Sequence, residues 1–161
     1  MYITFDEYLA MYEEPNDSML FDRLAFNAFR VMDIHTTGID NVKKLRAHFP
    51  TDAYDADAVK RCAAELIHTL YQIHLAENAR GFEVTEQGMH SNVITSVSSG
   101  SESISYATGN AAATAIDAAV TDRKAREKLM SEIVWDYLRG IEDANGVSLL
   151  YMGKYPRGYR C

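Results

Sequence analysis

The stretch Asn92-Val-Ile-Thr-Ser-Val-Ser-Ser-Gly-Ser-Glu-Ser-Ile-Ser-Tyr-Ala-Thr108 decides how the chain reads. On most of the chain around it, apolar residues recur at helical intervals. Here the period drops to two, with Val93, Thr95 and Val97 alternating on one arm and Ile104 and Tyr106 on the other. Ser98 to Ser101, centred on Gly100, separates the arms with small residues, and glycine reaches positive φ without steric cost. An extended β-hairpin or one long bent strand is predicted. A lone two-stranded ribbon is marginal in water, and this one is serine-rich with few large side chains to bury. It needs something to pair with, either the chain's own helices or another molecule.

Working outward, the N-terminal side is helical. Thr4 followed by Glu7 fits a capping box, with Phe5, Leu9 and Tyr12 on one face, and Pro15 closes that helix. A second helix is predicted from about Ser18 to Ile34, capped by Asp17 or Ser18. Leu20 or Phe21, Leu24, Ala28, Val31 and Met32 make its stripe, which Phe26 and Phe29 broaden until it reads as central. Gly38 suits a left-handed cap at its end. Val42 to Phe49 reads as a short helix stopped by Pro50. The strongest pattern, about Asp57 to Glu77 with Asp55 or Asp57 as cap, carries Val59, Ala63, Leu66, Ile67, Leu70, Tyr71, Ile73 and His74. Packing of this helix on the second forms the expected core.

Residues 79–91 are polar, with Gly81 and Gly88, and read as a loop. Beyond the ribbon, 109–120 is almost all small and reads as a weak helix or connector. A last helix capped near Thr121 or Asp122 carries Ala125, Leu129, Ile133, Val134, Tyr137, Leu138 and Ile141. Lys124, Lys128, Arg126 and Glu127 are its expected solvated face. It ends at Gly140 or continues to the turn dipeptide Asn145-Gly146. The fold class is therefore mainly α: a bundle of four to five helices with one extended hairpin or strand pair. A single domain is expected over 1–161, with a helical core at 1–79, hairpin at 92–108, C-terminal helix at 121–141 and tail at 149–161.

Composition is that of a globular protein, 47% hydrophobic and 24% charged. No apolar run has the length of a membrane span, and the N-terminus does not read as a signal peptide. Cys62 and Cys161 imply reduced thiols in a cytoplasmic setting rather than a disulfide framework. The net charge of -7 argues against general nucleic-acid affinity. It is unevenly spread: 8 basic and 17 acidic residues up to Thr121, 8 and 6 after it. Lys154, Arg157 and Arg160 make the tail basic. On charge alone, a solvated terminus is the simpler reading of that tail.

Chemical motifs are sparse. Glu65-x-x-His68 has the spacing of half a carboxylate-bridged di-metal site, but no second copy exists, and surface or boundary residues are expected. The five histidines lack zinc spacing. Asp52-Ala-Tyr-Asp55-Ala-Asp57 lacks the glycine and distal ligand of a calcium loop, so helix capping is expected. No nucleophile elbow, Walker loop or dinucleotide fingerprint occurs. Neither an enzyme nor a cofactor is expected.

The order of segments resembles the head–tail connector proteins of long-tailed bacteriophages, the head-completion or neck adaptors often grouped with DNA-packaging proteins. Tyr2-Ile-Thr-Phe-Asp-Glu-Tyr8 and Phe21-Asp-Arg-Leu-Ala-Phe26 are similar to their first two helices, and Val59-Lys-Arg-Cys-Ala-Ala-Glu-Leu-Ile67 to their central one. Residues 93–106 resemble their extended strand pair. Tyr137-Leu138 and Leu149-Leu-Tyr-Met-Gly153 are similar to their closing segment. Two features depart from the pattern: Gly140 to Ser148 intervenes before the closing segment, and the tail past Gly153 is longer.

The resemblance implies a non-enzymatic virion protein of the neck, made in the host cytoplasm. It would form a homo-oligomeric ring, dodecameric in the virions of the family, below the portal protein and above a stopper or tail-joining protein. A chain that is monomeric in solution until the portal nucleates the ring is compatible with this. Packaged DNA would pass through its channel without sequence-specific binding, and no membrane is involved. Val93, Thr95, Val97, Ile104 and Tyr106 would make subunit or stopper contacts. Leu149, Leu150, Tyr151, Met152, Lys154, Tyr155, Arg157 and Tyr159 would meet the portal, so removing the residues after Gly153 would abolish attachment and spare the fold. The alternative is a small helical adaptor of the tail, or a regulatory interaction protein, acting as monomer or dimer. A metal-dependent bundle enzyme is a third reading.

Overall fold

A computed structural model of the chain describes residues 1–80, 96–99, 102–105 and 111–156. The described residues are mainly helical. In chain order they form α1 (Phe5–Leu9), α2 (Ser18–Thr36), α3 (Lys44–Ala47), α4 (Ala53–Arg80), strands β1 (Ser96–Ser99) and β2 (Glu102–Ser105), α5 (Ala111–Thr121) and α6 (Arg123–Leu138).

Local chemistry sets most of the helix starts. The Thr4 hydroxyl accepts the Glu7 amide at 3.2 Å, while the Glu7 carboxylate takes the Thr4 amide at 2.9 Å. A cap of this kind contributes about 0.5–2 kcal/mol. Asp17 caps α2 through the Met19 amide and Asp122 caps α6 through the Lys124 amide, each at 2.9 Å. α4 starts earlier than the expected Asp57. Asp52 accepts the amides of Tyr54 and Asp55, so neither Asp55 nor Asp57 is its cap. The small-residue segment after the ribbon is a helix, α5, whose Ala119 lies in the core.

α4 is the central element, flanked by α2 and α6 and also touched by α5. Phe21, Leu24, Ala28 and Met32 of α2 meet Val59, Ala63, Leu66 and Ile67 of α4, joined by Met130, Val134 and Leu138 of α6. Each fully buried large apolar chain among these contributes about 1.5–3 kcal/mol. The expected centrality of α2 is corrected here. Phe26 is 70% exposed and Ile34 59% exposed, so α2 presents a second apolar face that the other described residues leave open. The core also extends past 1–79, since α6, Ile141 and Leu149 complete it.

Two further expectations change. Gly38 does not adopt positive φ, and the α2 C-cap is Thr37 in extended geometry. Its lack of a side chain serves close approach, because a Cβ there would stand 2.5 Å from the Gly153 carbonyl oxygen. Arg126 is not simply part of a solvated face. It pairs with Glu77 at 2.5 Å and donates to the Ala119 carbonyl at 2.9 Å, tying α6 to α4 and α5.

α6 ends at Leu138, and Gly140 at φ +83° turns the chain. Residues 141–149 double back: Asp143 N donates to Val147 O and Leu149 N to Ile141 O, both at 2.9 Å. Gly146 at φ +71° makes the tip, where a residue with a side chain would be strained. β1 and β2 pair antiparallel with Val97 opposite Ile104. The rest of 92–108, including Val93, Thr95 and Tyr106, lies outside the described residues.

Candidate functional site

The segment 148–156 lies as a strap across the 38–44 turn between α2 and α3. Lys44 organises it. Lys44 is almost fully buried, and its Nζ donates to the Ser148 carbonyl at 3.0 Å and the Tyr151 carbonyl at 2.5 Å. A buried ammonium is tolerated only with strong acceptors. Here burial pushes its pKa down, opposed by the charges of Asp143 and Asp40. Two backbone amides extend the attachment: Ile39 N donates to the Met152 carbonyl at 3.0 Å, and Tyr155 N to Asp40 Oδ2 at 2.7 Å. The Tyr155 amide holds the Asp40 carboxyl below its ordinary range.

Tyr155 ends the strap in a polar socket. Its hydroxyl donates to Asp143 Oδ2 at 2.6 Å and accepts from Asn145 Nδ2 at 2.9 Å. Its ring stacks on His48 at 5.0 Å. Asp143 is buried, and its other oxygen accepts the amides of Asn145 and Val147, so one carboxylate orders both the 141–149 turn and the strap.

This arrangement sorts the tail residues singled out by sequence. Leu149 is fully buried and belongs to the core, so it cannot be offered to a partner while the fold stands. Leu150 is partly buried against that core. Tyr155 is committed to its socket, so cutting the chain after Gly153 would also remove a fold contact. Tyr151, at 48% exposed, Met152, at 49%, and Lys154 remain on the surface. Arg157 and Tyr159 lie outside the described residues. The sequence reading missed Asp40, Lys44 and Asp143 and gave Gly38 a different role; all four hold the strap.

A second group of polar residues lies between α1 and α4. The Tyr12 hydroxyl donates to Glu65, and its ring stacks on His68 at 4.3 Å. His68 Nε2 lies 3.4 Å from Gln72 Nε2, while its buried Nδ1 has no partner among the described residues. Tyr71 donates to Glu14 at 2.5 Å. Cys62 is buried nearby, and burial pushes its thiol up to about 12, with Glu65 adding to the effect. The thiolate is therefore scarce at neutral pH, opposite to the requirement for a nucleophile. Glu65 and His68 are half-buried boundary residues. No group of three metal-ligating side chains stands together among the described residues.

At the other end of α1, Tyr2 donates to Asp33, which Arg46 also binds, Nε to Oδ2 at 2.7 Å. The phenol's pKa is raised, by burial first and by Asp33 second. This network fixes the N-terminus against α2 and α3. Among the described residues, no helix is long and apolar enough to cross a membrane. No family model matches the chain, and neither curated proteins nor solved structures give a significant match.

Proposed function

We propose that this chain is a structural, non-enzymatic ring subunit of a tailed-bacteriophage neck. It would join the DNA-filled head to the tail and extend the DNA channel below the portal. One observation carries the reading: a strand-patterned ribbon at 92–108 is attached to a helical body that builds its core from α1 to α6 and the 141–149 turn. A ribbon of two short strands gains little alone, and strand addition between subunits would complete it. The segment order set out above supplies the family to which such a ribbon would belong.

The supports are chemical. Repeated head-to-tail contacts close into rings when the rotation permits. A net charge of -7 favours a channel wall that lets a polyanion slide rather than hold. Val93, Thr95, Val97, Ile104 and Tyr106 are assigned to the subunit or stopper contact. The portal contact is narrowed to Tyr151, Met152 and Lys154 on the outside of the strap, with Arg157 and Tyr159 beyond it.

Electron microscopy of the wild-type chain mixed with its portal tests the reading. A ring seated below the portal is expected. Replacing Met152 and Lys154 by Asp and removing 157–161 should abolish attachment while leaving thermal unfolding unchanged. A wild-type chain that never binds portal and stays a monomer or dimer would instead establish the small-adaptor reading.

A further inference from the structure

We propose that the open face of α2 receives the first turn of α4 from a second copy of this chain, with Tyr54 seated between Phe26 and Ile34. The contact is head-to-tail. It deepens the ring reading, and rests on that reading only for the closure of the contact into a ring.

The receiving face is a groove of about 770 Å³ along α2 and the turn before α3. Phe29 lies in it half-buried, and the exposed Phe26 and Ile34 form its apolar walls. Phe26 and Ile34 stand on the side of α2 opposite Leu24, Ala28 and Met32, which face the core. Arg30, Lys43 and Arg46 line the rim. Asp33 also lines the groove but is matched by Arg46 at 2.5 Å, so the net positive charge comes from Arg30 and Lys43. A basic, aromatic face on a chain of net charge -7 calls for an acidic partner.

The chain itself carries that partner. Tyr54 is 77% exposed, more than Phe26 or Trp135, and sits in Asp52-Ala-Tyr-Asp-Ala-Asp57. Asp57 is matched by Arg61 within the helix at 2.6 Å. The negative charge beside Tyr54 therefore comes from Asp52 and Asp55, the latter also accepting the Glu142 amide at 3.2 Å. An exposed aromatic side chain flanked by Asp52 and Asp55 matches in sign an apolar groove lined by Arg30 and Lys43. Tyr, Phe and Arg are also the residues that concentrate at protein interfaces.

Tyr54 does not line the groove of its own chain. The two halves lie on different elements, so one copy can present both at once. Such a contact is heterologous: each added copy leaves one groove and one Tyr54 open, which permits growth into a ring.

The test uses the full chain without portal, by light scattering across its soluble concentration range. The wild type is expected to form species larger than dimers as concentration rises. Phe26→Asp removes the groove and Tyr54→Ala removes the insert. Each should weaken self-association at least about tenfold with unchanged thermal unfolding, since both positions are exposed. An equimolar mixture of the two variants should then form a heterodimer and nothing larger, because only one live groove and one live Tyr54 remain per pair. The contact is overturned by a wild type that stays monomeric, by variants that associate like wild type, or by a mixture that stays monomeric. Those results leave the ring reading to be judged by portal binding of the wild-type chain.

Discussion

Lys44 Nζ donates to the carbonyl of Ser148 at 3.0 Å, joining residues 104 positions apart in the sequence. With its second bond to Tyr151, this buried ammonium holds the strap onto the 38–44 turn. Lys44→Met keeps most of the apolar stem and removes the charge, leaving two carbonyls without their donor. Hydrogen bonds to charged groups contribute about 1.5–3 kcal/mol, and a loss in that range is expected in denaturant unfolding. Amide exchange at Ile39 and Tyr155 should accelerate more than exchange in α4. Wild-type stability with unchanged exchange would show that Lys44 does not anchor the strap.

The strap is also where the sequence was least legible, for identifiable reasons. Helix starts at Thr4, Asp17 and Asp122 could be read because a cap acts within three residues. At the start of α4, Asp52, Asp55 and Asp57 all fit a cap by type. The choice among them is tertiary: Asp55 takes the Glu142 amide and Asp57 takes Arg61. Lys44 was invisible because lysine is almost always exposed, and its partners are backbone carbonyls that carry no sequence signature. Gly38 looked like a left-handed cap since nothing local announces that the Gly153 carbonyl will lie against it. Phe26 was assigned inward by periodicity, which identifies an apolar face without saying whether the same chain covers it. The tail residues proposed for a partner suffered likewise: Leu149 is apolar because it is core, and Tyr155 because its ring stacks on His48.

Leu66 tests the central position of α4. It is fully buried in the core cluster that α2, α4 and α6 share. Leu66→Ala should lower unfolding free energy by about 2–5 kcal/mol, combining lost transfer energy with the cavity left behind. Phe26→Ala on the exposed side of α2 should stay within about 0.5 kcal/mol of wild type. Equal effects of the two substitutions in denaturant unfolding would contradict the assignment of inner and outer faces.

Cys62 should be chemically silent in the folded chain. Burial pushes its thiol up to about 12, and alkylation requires both the thiolate and access. Iodoacetamide at pH 8 should leave the Cys62 peptide unmodified in native protein and modify it fully in denaturant, as read by mass spectrometry. Modification of Cys62 at a similar rate in both conditions would place this face of α4 in solvent and undo the packing of α4 described above.

Glu7 gives the chain a defined acid response. The ammonium of Lys60 at 2.5 Å and the Thr4 amide hold its carboxyl at about 2, against an ordinary value of 4.5. The folded state therefore binds this proton less readily than the unfolded state, and stability rises with pH across the interval between the two values. Glu7's contribution is complete above about 4.5 and is lost as pH falls towards 2. Glu7→Gln should melt below wild type at pH 6, with the gap closing as pH drops through that window. Because the pair is partly exposed, 1 M salt should narrow the gap at pH 6. A gap independent of pH would mean that Glu7 acts through shape and capping alone, and that its charge does not pin α1 to α4.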